Sequence, residues 1–221
     1  MDKSQLQKAI EEVRKNSTKR NFKQSFDLII NLKNLDLKKP EHQIELFIPL
    51  PNSKGKPVKI CAFIGPELLE QAKNCNKYVV QDEFALKYAG QKKAIKKLAK
   101  EYDFFIAQAN IMPAVAKTFG GVLGPRRKMP NPKAGCIVPP NANLKLLVER
   151  LQKTIRVSTK IEPVIKAIVG TEEMKDEQII DNIMTIYNQI IHSLPEEENN
   201  IKNVLIKLTM SKPVKVEAKK E

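Results

Sequence analysis

Hydrophobic positions along this chain change their period twice. After Ser4, the stretch "QLQKAIEEVRK" places Leu6, Ile10 and Val13 on one helical face, and Ser4 with Gln7 three residues on forms a capping box that predicts the helix start. In "NFKQSFDLIINL" the period drops to two. Phe26, Leu28, Ile30 and Leu32 alternate with Asp27, Ile29 and Asn31, the mark of a strand with one buried face. "QIELFIPL" repeats the alternation with Ile44, Leu46 and Ile48. A polar connector, "KNLDLKKPEH", separates the two strands, and "PNSKGKP" then breaks regular structure.

From Val58 the texture changes. "VKICAFI" is a continuous apolar run, as expected of a strand covered on both faces. "GPELLEQAKN" reads as turn and helix, "KYVV" as a short strand, and "QDEFALKYAGQKKAIKKLAKEY" as mostly helical. "DFFIAQA" is a second buried strand, followed by the helix "IMPAVAKTFGGVLG". "GCIV" adds one more strand and "NANLKLLVERLQKT" a closing helix. Strands alternating with helices predict a small parallel α/β unit.

The first texture then returns. "IRVSTKIEPVIKAIVG" reads as extended chain. A helix is expected from Thr171, with Ile179, Ile183, Ile186 and Ile190 on one face. "IKNVLIKLTM" reads as the last strand, with Val204, Ile206 and Leu208 alternating, and "SKPVKVEAKKE" as a frayed end. Neither end of the chain holds a full sheet alone, so pairing them completes one domain. The expected fold is therefore α/β in two domains. Domain I, residues 1–59 and 156–221, is α+β with an antiparallel sheet made from both chain ends. Domain II, residues 60–155, is an inserted parallel α/β unit joined by two chain crossings.

Charge adds a partner to this picture. Thirty-nine Lys and Arg stand against 25 Asp and Glu, a net +14. Such a chain attracts polyanions, with nucleic acid ranked ahead of a membrane surface, and a merely soluble Lys-rich surface as the bland alternative. No apolar run is long enough to cross a bilayer, and the charged start lacks the apolar core of a secretory signal, which points to an intracellular protein without a membrane partner. Aromatics are only 5% and Trp is absent, so an aliphatic core is expected. Cys61, Cys75 and Cys136 are odd in number and far apart, with no CxxC, and read as buried thiols. With His42 and His192 the only histidines, no metal site and no cofactor are expected.

The chemistry of an enzyme is missing. Gly65 follows a strand and opens a helix, but "IGPELLEQ" lacks GxGxxG, and the chain has no GxxxxGK[ST], GxSxG or HExxH. Glu172–Glu173 and Glu196–Glu198 read as solvated turn and helix-start charges. One stretch is unlike the rest: "LGPRRKMPNPKAG", Leu123 to Gly135. Pro125, Pro130 and Pro132 restrict its backbone, and Gly121, Gly124 and Gly135 permit unusual torsions. Arg126, Arg127, Lys128 and Lys133 form a basic loop that either meets phosphates or is simply solvated.

That stretch closely resembles the motif GPRGxMPNPKxG of the large-subunit ribosomal protein family conventionally called L-one. "NFKQSFDLIINL" is similar to the family's first strand, and "VLIKLTMS" to its last, which usually ends in Thr-Met-Gly. The resemblance covers nearly the whole chain. "FDLIINLKNLDLKKPEHQIELFIPLP" is similar to the archaeal and eukaryotic branch, and the lack of long extensions favours the archaeal one.

The resemblance implies that domain I carries the main RNA-binding surface and that domain II is Rossmann-like. It implies a structural, non-enzymatic constituent of the large ribosomal subunit, cytoplasmic and ribosome-associated. Such a protein binds large-subunit rRNA to form the mobile stalk near the tRNA exit site and assists release of deacylated tRNA. Its implied partners are that rRNA, its own mRNA, which it represses, and exit-site tRNA; free of the ribosome it is monomeric. The implied RNA contacts are Phe22, Lys23, Gln24 and Ser25 in the first strand motif, Lys166, Gly170 and Thr171 in a third segment, and Lys207, Thr209, Met210 and Ser211 at the last strand. Ser211 stands where the family usually has Gly. On the residues alone, Phe22 also fits a core anchor and Met210 the end of a buried strand. The alternatives to the ribosomal reading are a nucleotide-dependent enzyme using the inserted domain and a non-ribosomal RNA-binding relative.

Overall fold

The computed structural model describes residues 1–39, 42–159 and 162–216. In chain order the elements are α1 (Lys3–Lys15), β1 (Ser25–Leu32), β2 (Glu45–Pro49), β3 (Ile60–Ile64), α2 (Leu69–Ala72), β4 (Lys77–Val80), α3 (Gln81–Glu83), α4 (Lys92–Glu101), β5 (Phe104–Gln108), α5 (Met112–Leu123), β6 (Ile137–Val138), α6 (Leu144–Lys153), β7 (Thr154–Ser158), β8 (Val164–Thr171), α7 (Asp176–Ile191), β9 (Ile201–Leu208) and β10 (Val214–Lys215). They group into two compact units, 1–56 with 153–221 and 57–152. Both junctions fall three residues ahead of the boundaries read from the sequence.

In the first unit, β1 is central to an antiparallel sheet of order β10-β9-β1-β8. Phe26, Leu28, Ile30 and Leu32 face the core. Across from them lie Leu6, Ile10 and Val13 of α1 and Ile179, Ile183, Ile186 and Ile190 of α7, all buried in one cluster. Each such isoleucine contributes roughly 1.5–3 kcal/mol by leaving water. A separate antiparallel ribbon, β2 with β7, adds Ile48, Ile155 and Val157 to the same core.

Three expectations are corrected here. Helix α1 starts at Lys3, two residues before its predicted first turn, because Gln5 Oε1 accepts the Asp2 N–H at 3.1 Å and closes the box there. The run read as extended is extended where it is described, as β7 and β8, which lie in different sheets. Thr171 ends β8 opposite Ser25, and α7 begins only at Asp176, after a turn in which the Met174 N–H reaches the Thr171 carbonyl. The last strand is followed by another: β10 pairs with β9 and buries Val214, while Val216 is buried just after it. The predicted fraying from Ser211 is thus wrong up to Val216, and its remainder lies outside the described residues.

In the second unit, β4-β3-β5-β6 is wholly parallel. Strand β3 is buried along its whole length, as its unbroken apolar run requires. The aliphatic core expected from composition does not hold in this unit. Phe63 stacks on Phe105 with ring centroids 5.6 Å apart and lies 4.5 Å from Phe119, with Phe84, Tyr88 and Tyr102 around them. Scarce aromatics are concentrated in one place, where their large area and edge-to-face geometry do most for a small core.

Candidate nucleic-acid interface

Antiparallel pairing explains how distant segments meet. Because β1 runs against both neighbours, its beginning lies beside the ends of β8 and β9. Ser25 is opposite Thr171, and Phe26 is opposite both Gly170 and Leu208. Residues 22–25, 170–173 and 208–211 therefore form one rim at one end of the sheet.

Backbone and side chains lock that rim. The Ser25 N–H donates to Thr209 Oγ1 at 3.1 Å, and the Thr209 N–H donates to the Ser25 carbonyl at 3.1 Å. Gln24 is 1% exposed. Its Oε1 accepts the Met210 N–H at 3.2 Å, and its own N–H donates to Glu172 Oε1 at 3.1 Å. The Glu172 N–H returns a bond to the Gln24 carbonyl at 3.0 Å. Ser211 closes the turn after β9: its Oγ accepts the Leu208 N–H at 2.8 Å. No left-handed torsion occurs at Ser211, so the position is open to a residue with a Cβ.

On this frame stand two apolar side chains with no core to fill. Phe22 is 50% exposed and Met210 60% exposed. Neither is a core anchor or the end of a buried strand. Thr209 is exposed beside Met210. Lys23 is exposed and pairs with Glu173 at 2.9 Å. The Ser25 hydroxyl is buried and has no hydrogen-bond partner among the described residues.

The remaining candidates lie elsewhere or inward. Gly170 is buried, and a Cβ there would press on Met174 Sδ at 3.0 Å and Ile179 at 3.2 Å, so packing explains this glycine. Thr171 is buried, and a Cβ on Gly55 would meet its Oγ1 at 2.5 Å. Lys166 lies opposite Ile29 on the outer sheet face, four positions up β8 from the rim, with Glu162 3.4 Å away. Lys207 is on the same face, opposite Asp27, whose carboxyl is raised by burial and partly restored by Lys207 and Lys56.

Sequence reasoning missed the residues behind the rim. Arg14 donates to Asp176 Oδ1 at 2.7 and 3.0 Å, to the Glu172 carbonyl at 2.8 Å and to the Met174 carbonyl at 3.1 Å, with its guanidinium 5.1 Å from the Phe26 ring centroid. Glu172 and Glu173 are not idle turn charges: one holds Gln24 and the other Lys23. An arginine flanking the apolar face of α1 and an acidic turn before α7 were the available signals, but their meeting depends on the long-range sheet.

The second unit offers two other places. At the carboxyl ends of β3 and β5, where strand order reverses and such sheets bind nucleotides, Gln108 is fully buried. Its Oε1 accepts the Gly65 N–H at 2.8 Å and its Nε2 donates to Glu67 at 2.6 Å, so a protein side chain occupies the turn a phosphate would need. In the basic loop, Lys128 is committed. Its ammonium donates to the Ala99 and Tyr102 carbonyls at 3.0 and 2.7 Å, at the end of α4. Arg126 Nη1 reaches the Lys96 carbonyl at 3.4 Å, and Lys133 is exposed. Of the three glycines expected to bend this loop, only Gly135 has positive φ (70°); the other left-handed position is Arg127, at φ 54°. The three thiols are buried as expected. Among the described residues no group of three or more His, Cys, Asp or Glu is placed to hold a metal ion, and no helix is long and apolar enough to cross a membrane.

The chain is similar to known proteins along nearly its whole length. The profile of the ribosomal protein L1p/L10e family matches residues 13–212. The large ribosomal subunit protein uL1 of Methanothermococcus thermolithotrophicus is 43% identical over 217 residues, covering 98% of this chain and 100% of the relative. Its counterpart in Methanocaldococcus jannaschii is 41% identical over 220 residues, covering 100% and 98%. That of Pyrococcus abyssi is 41% identical over 216 residues, covering 97% and 96%.

Proposed function

This chain belongs to the ribosomal protein L1p/L10e family, a family of ribosomal proteins rather than enzymes, and from that premise we propose that it binds large-subunit rRNA through the rim of its first unit. In this role it is a structural constituent of the large subunit, building the mobile stalk near the tRNA exit site and assisting the release of deacylated tRNA. Its place of work is the cytoplasmic ribosome, and free of it the protein is a monomer. The observation that carries the reading is the exposure of Phe22 and Met210 on a frame tied together by the bonds of Ser25, Gln24, Thr209 and Met210. A flat ring and a thioether held rigidly outward pack on bases or riboses, and hydroxyls beside them bond 2′-OH groups, which separates RNA from DNA.

An mRNA that presents the same fold to this rim competes with rRNA for it. The chain therefore represses its own translation when rRNA is saturated. Filter binding at moderate salt tests both claims. Stalk rRNA is expected to bind far more tightly than an unrelated RNA duplex, and the leader of the protein's own mRNA to compete with it. Equal affinity for stalk RNA and the unrelated duplex overturns the reading.

A further inference from the structure

The charge of this protein is not where the rim is. The second unit, 57–152, holds sixteen Lys and Arg against seven Asp and Glu, a net +9, while the longer first unit carries +5. Much of the excess stands on one helix. Lys92, Lys93, Lys96, Lys97 and Lys100 of α4 are all exposed, while Ile95, Leu98 and Ala99 are buried on the opposite side. At 100° per residue the five ammonium-bearing positions fall within an arc of about 140°, and they run for roughly 12 Å along the axis.

This arrangement works against the helix that carries it. Like charges spaced i,i+3 or i,i+4 destabilise a helix, and the pairs 92/96, 93/96, 93/97, 96/100 and 97/100 are all of that kind. The first turn contains two lysines and no acid, against the helix dipole. Among the described residues none of the five lysines forms a salt bridge. The basic loop adds to the same side: Arg126 reaches the Lys96 carbonyl, and Arg127 keeps a cation at a left-handed position that favours glycine. A surface selected only for solubility intersperses both signs.

We infer that the exposed face of α4, with Arg126, is a second RNA-binding surface that grips phosphate backbone without reading sequence. Duplex DNA carries about one charge per 1.7 Å of axis with both strands counted, so about 12 Å of duplex holds roughly seven phosphates, of which the near side faces the ridge. A membrane surface fits less well, because an interfacial helix needs an apolar face free to enter the lipid, and that of α4 is buried in the core. The surface extends the ribosomal reading to RNA beyond the recognised segment but does not depend on the rim.

The test uses the full chain and a labelled 20-base-pair RNA duplex of unrelated sequence. Affinity is followed from 50 to 200 mM salt for the wild type, for Lys93, Lys96, Lys97 and Lys100 all changed to Gln, and for the same four changed to Arg. The Gln variant is expected to lose roughly three to four units from the slope of log K against log salt, at about 0.9 per phosphate contact. The Arg variant should keep the slope, and both variants should melt no lower than the wild type, since repulsion within α4 is relieved or retained. The preference for stalk rRNA over this duplex should not fall in the Gln variant. An unchanged slope in the Gln variant overturns the proposal, as does a loss of binding to phosphatidylserine vesicles larger than the loss to RNA. If the rim reading fails instead, stalk preference is absent from the start while the slope difference survives.

Discussion

Ser25 and Thr209, 184 positions apart, are tied by reciprocal bonds: each backbone N–H donates to the other residue, at 3.1 Å to Thr209 Oγ1 and 3.1 Å to the Ser25 carbonyl. The threonine hydroxyl is thus a structural clip at the rim before it is a contact. Thr209→Val keeps the shape and removes the acceptor. Leaving the N–H of the buried Ser25 unpaired should cost about 1–3 kcal/mol in denaturant unfolding, while Thr209→Ser should restore most of it. RNA affinity should follow the same order. A valine variant as stable as the wild type would show that water satisfies the N–H and that the clip is unimportant.

Phe22 and Met210 invert the usual expectation for large apolar residues. Both are at least half exposed, so truncating either to Ala should change folding stability by no more than about 0.5 kcal/mol. Stacked on a base, the Phe22 ring contributes about 1–3 kcal/mol to binding, so its loss should raise Kd for stalk rRNA by roughly five- to 150-fold, and loss of the Met210 thioether should raise it by less. Paired thermal melts and filter binding separate the two effects. A drop in melting temperature that accounts for the binding loss would return these residues to a packing role.

The periods of two and 3.6 carried most of the fold. Alternation placed Phe26, Leu28, Ile30 and Leu32 on the buried face, and the unbroken "ICAFI" placed β3 inside a parallel sheet. What stayed hidden was set by pairing across the chain. Thr171 looks like a helix start until β1 claims it opposite Ser25. Two residues, Val214 and Lys215, are too few to show a period, and become β10 only because β9 offers an open edge. The rim was half legible. Its exposed members came through resemblance, whereas the inward roles of Gln24, Gly170 and Thr171 follow from contacts with residues 4 to 186 positions away. Arg127 shows the reverse case: the family motif has Gly at that place, and the φ of 54° gives the physical reason.

The three cysteines make alkaline pH a probe of the second unit, which contains all of them. Burial pushes the Cys61 thiol up to about 12 and those of Cys75 and Cys136 up to about 11, from 9.0. Folded-state values above unfolded ones mean that their contribution to stability is complete below pH 9. It is lost as the pH climbs through 9 toward 11–12, where the unfolded chain sheds protons that the folded one keeps. Unfolding midpoints should fall over that window. At pH 8 a thiol reagent should label none of the three in the native protein and all three in denaturant. Rapid native labelling of Cys61 would contradict its burial.

Arg14 tests whether the rim depends on what lies behind it. Its three guanidinium nitrogens all serve the turn 172–176, with two backbone carbonyls and the Asp176 carboxylate as acceptors. That turn presents Glu172 to Gln24, and Gln24 in turn holds the Met210 N–H. A planar fork suits three acceptors at once; a lysine ammonium supplies the charge without the geometry. Arg14→Ala should therefore destabilise the chain by about 1.5–3 kcal/mol, with Arg14→Lys in between. Weaker RNA binding alone would not distinguish a local effect from general loosening, so the deciding measurement is hydrogen exchange. In Arg14→Lys, the amides of Glu172 and Met210 should exchange faster while those of β3, in the other unit, stay protected. If Met210 keeps its protection, the chain of contacts from Arg14 to the rim does not transmit, and the arginine only fastens α1 to the start of α7.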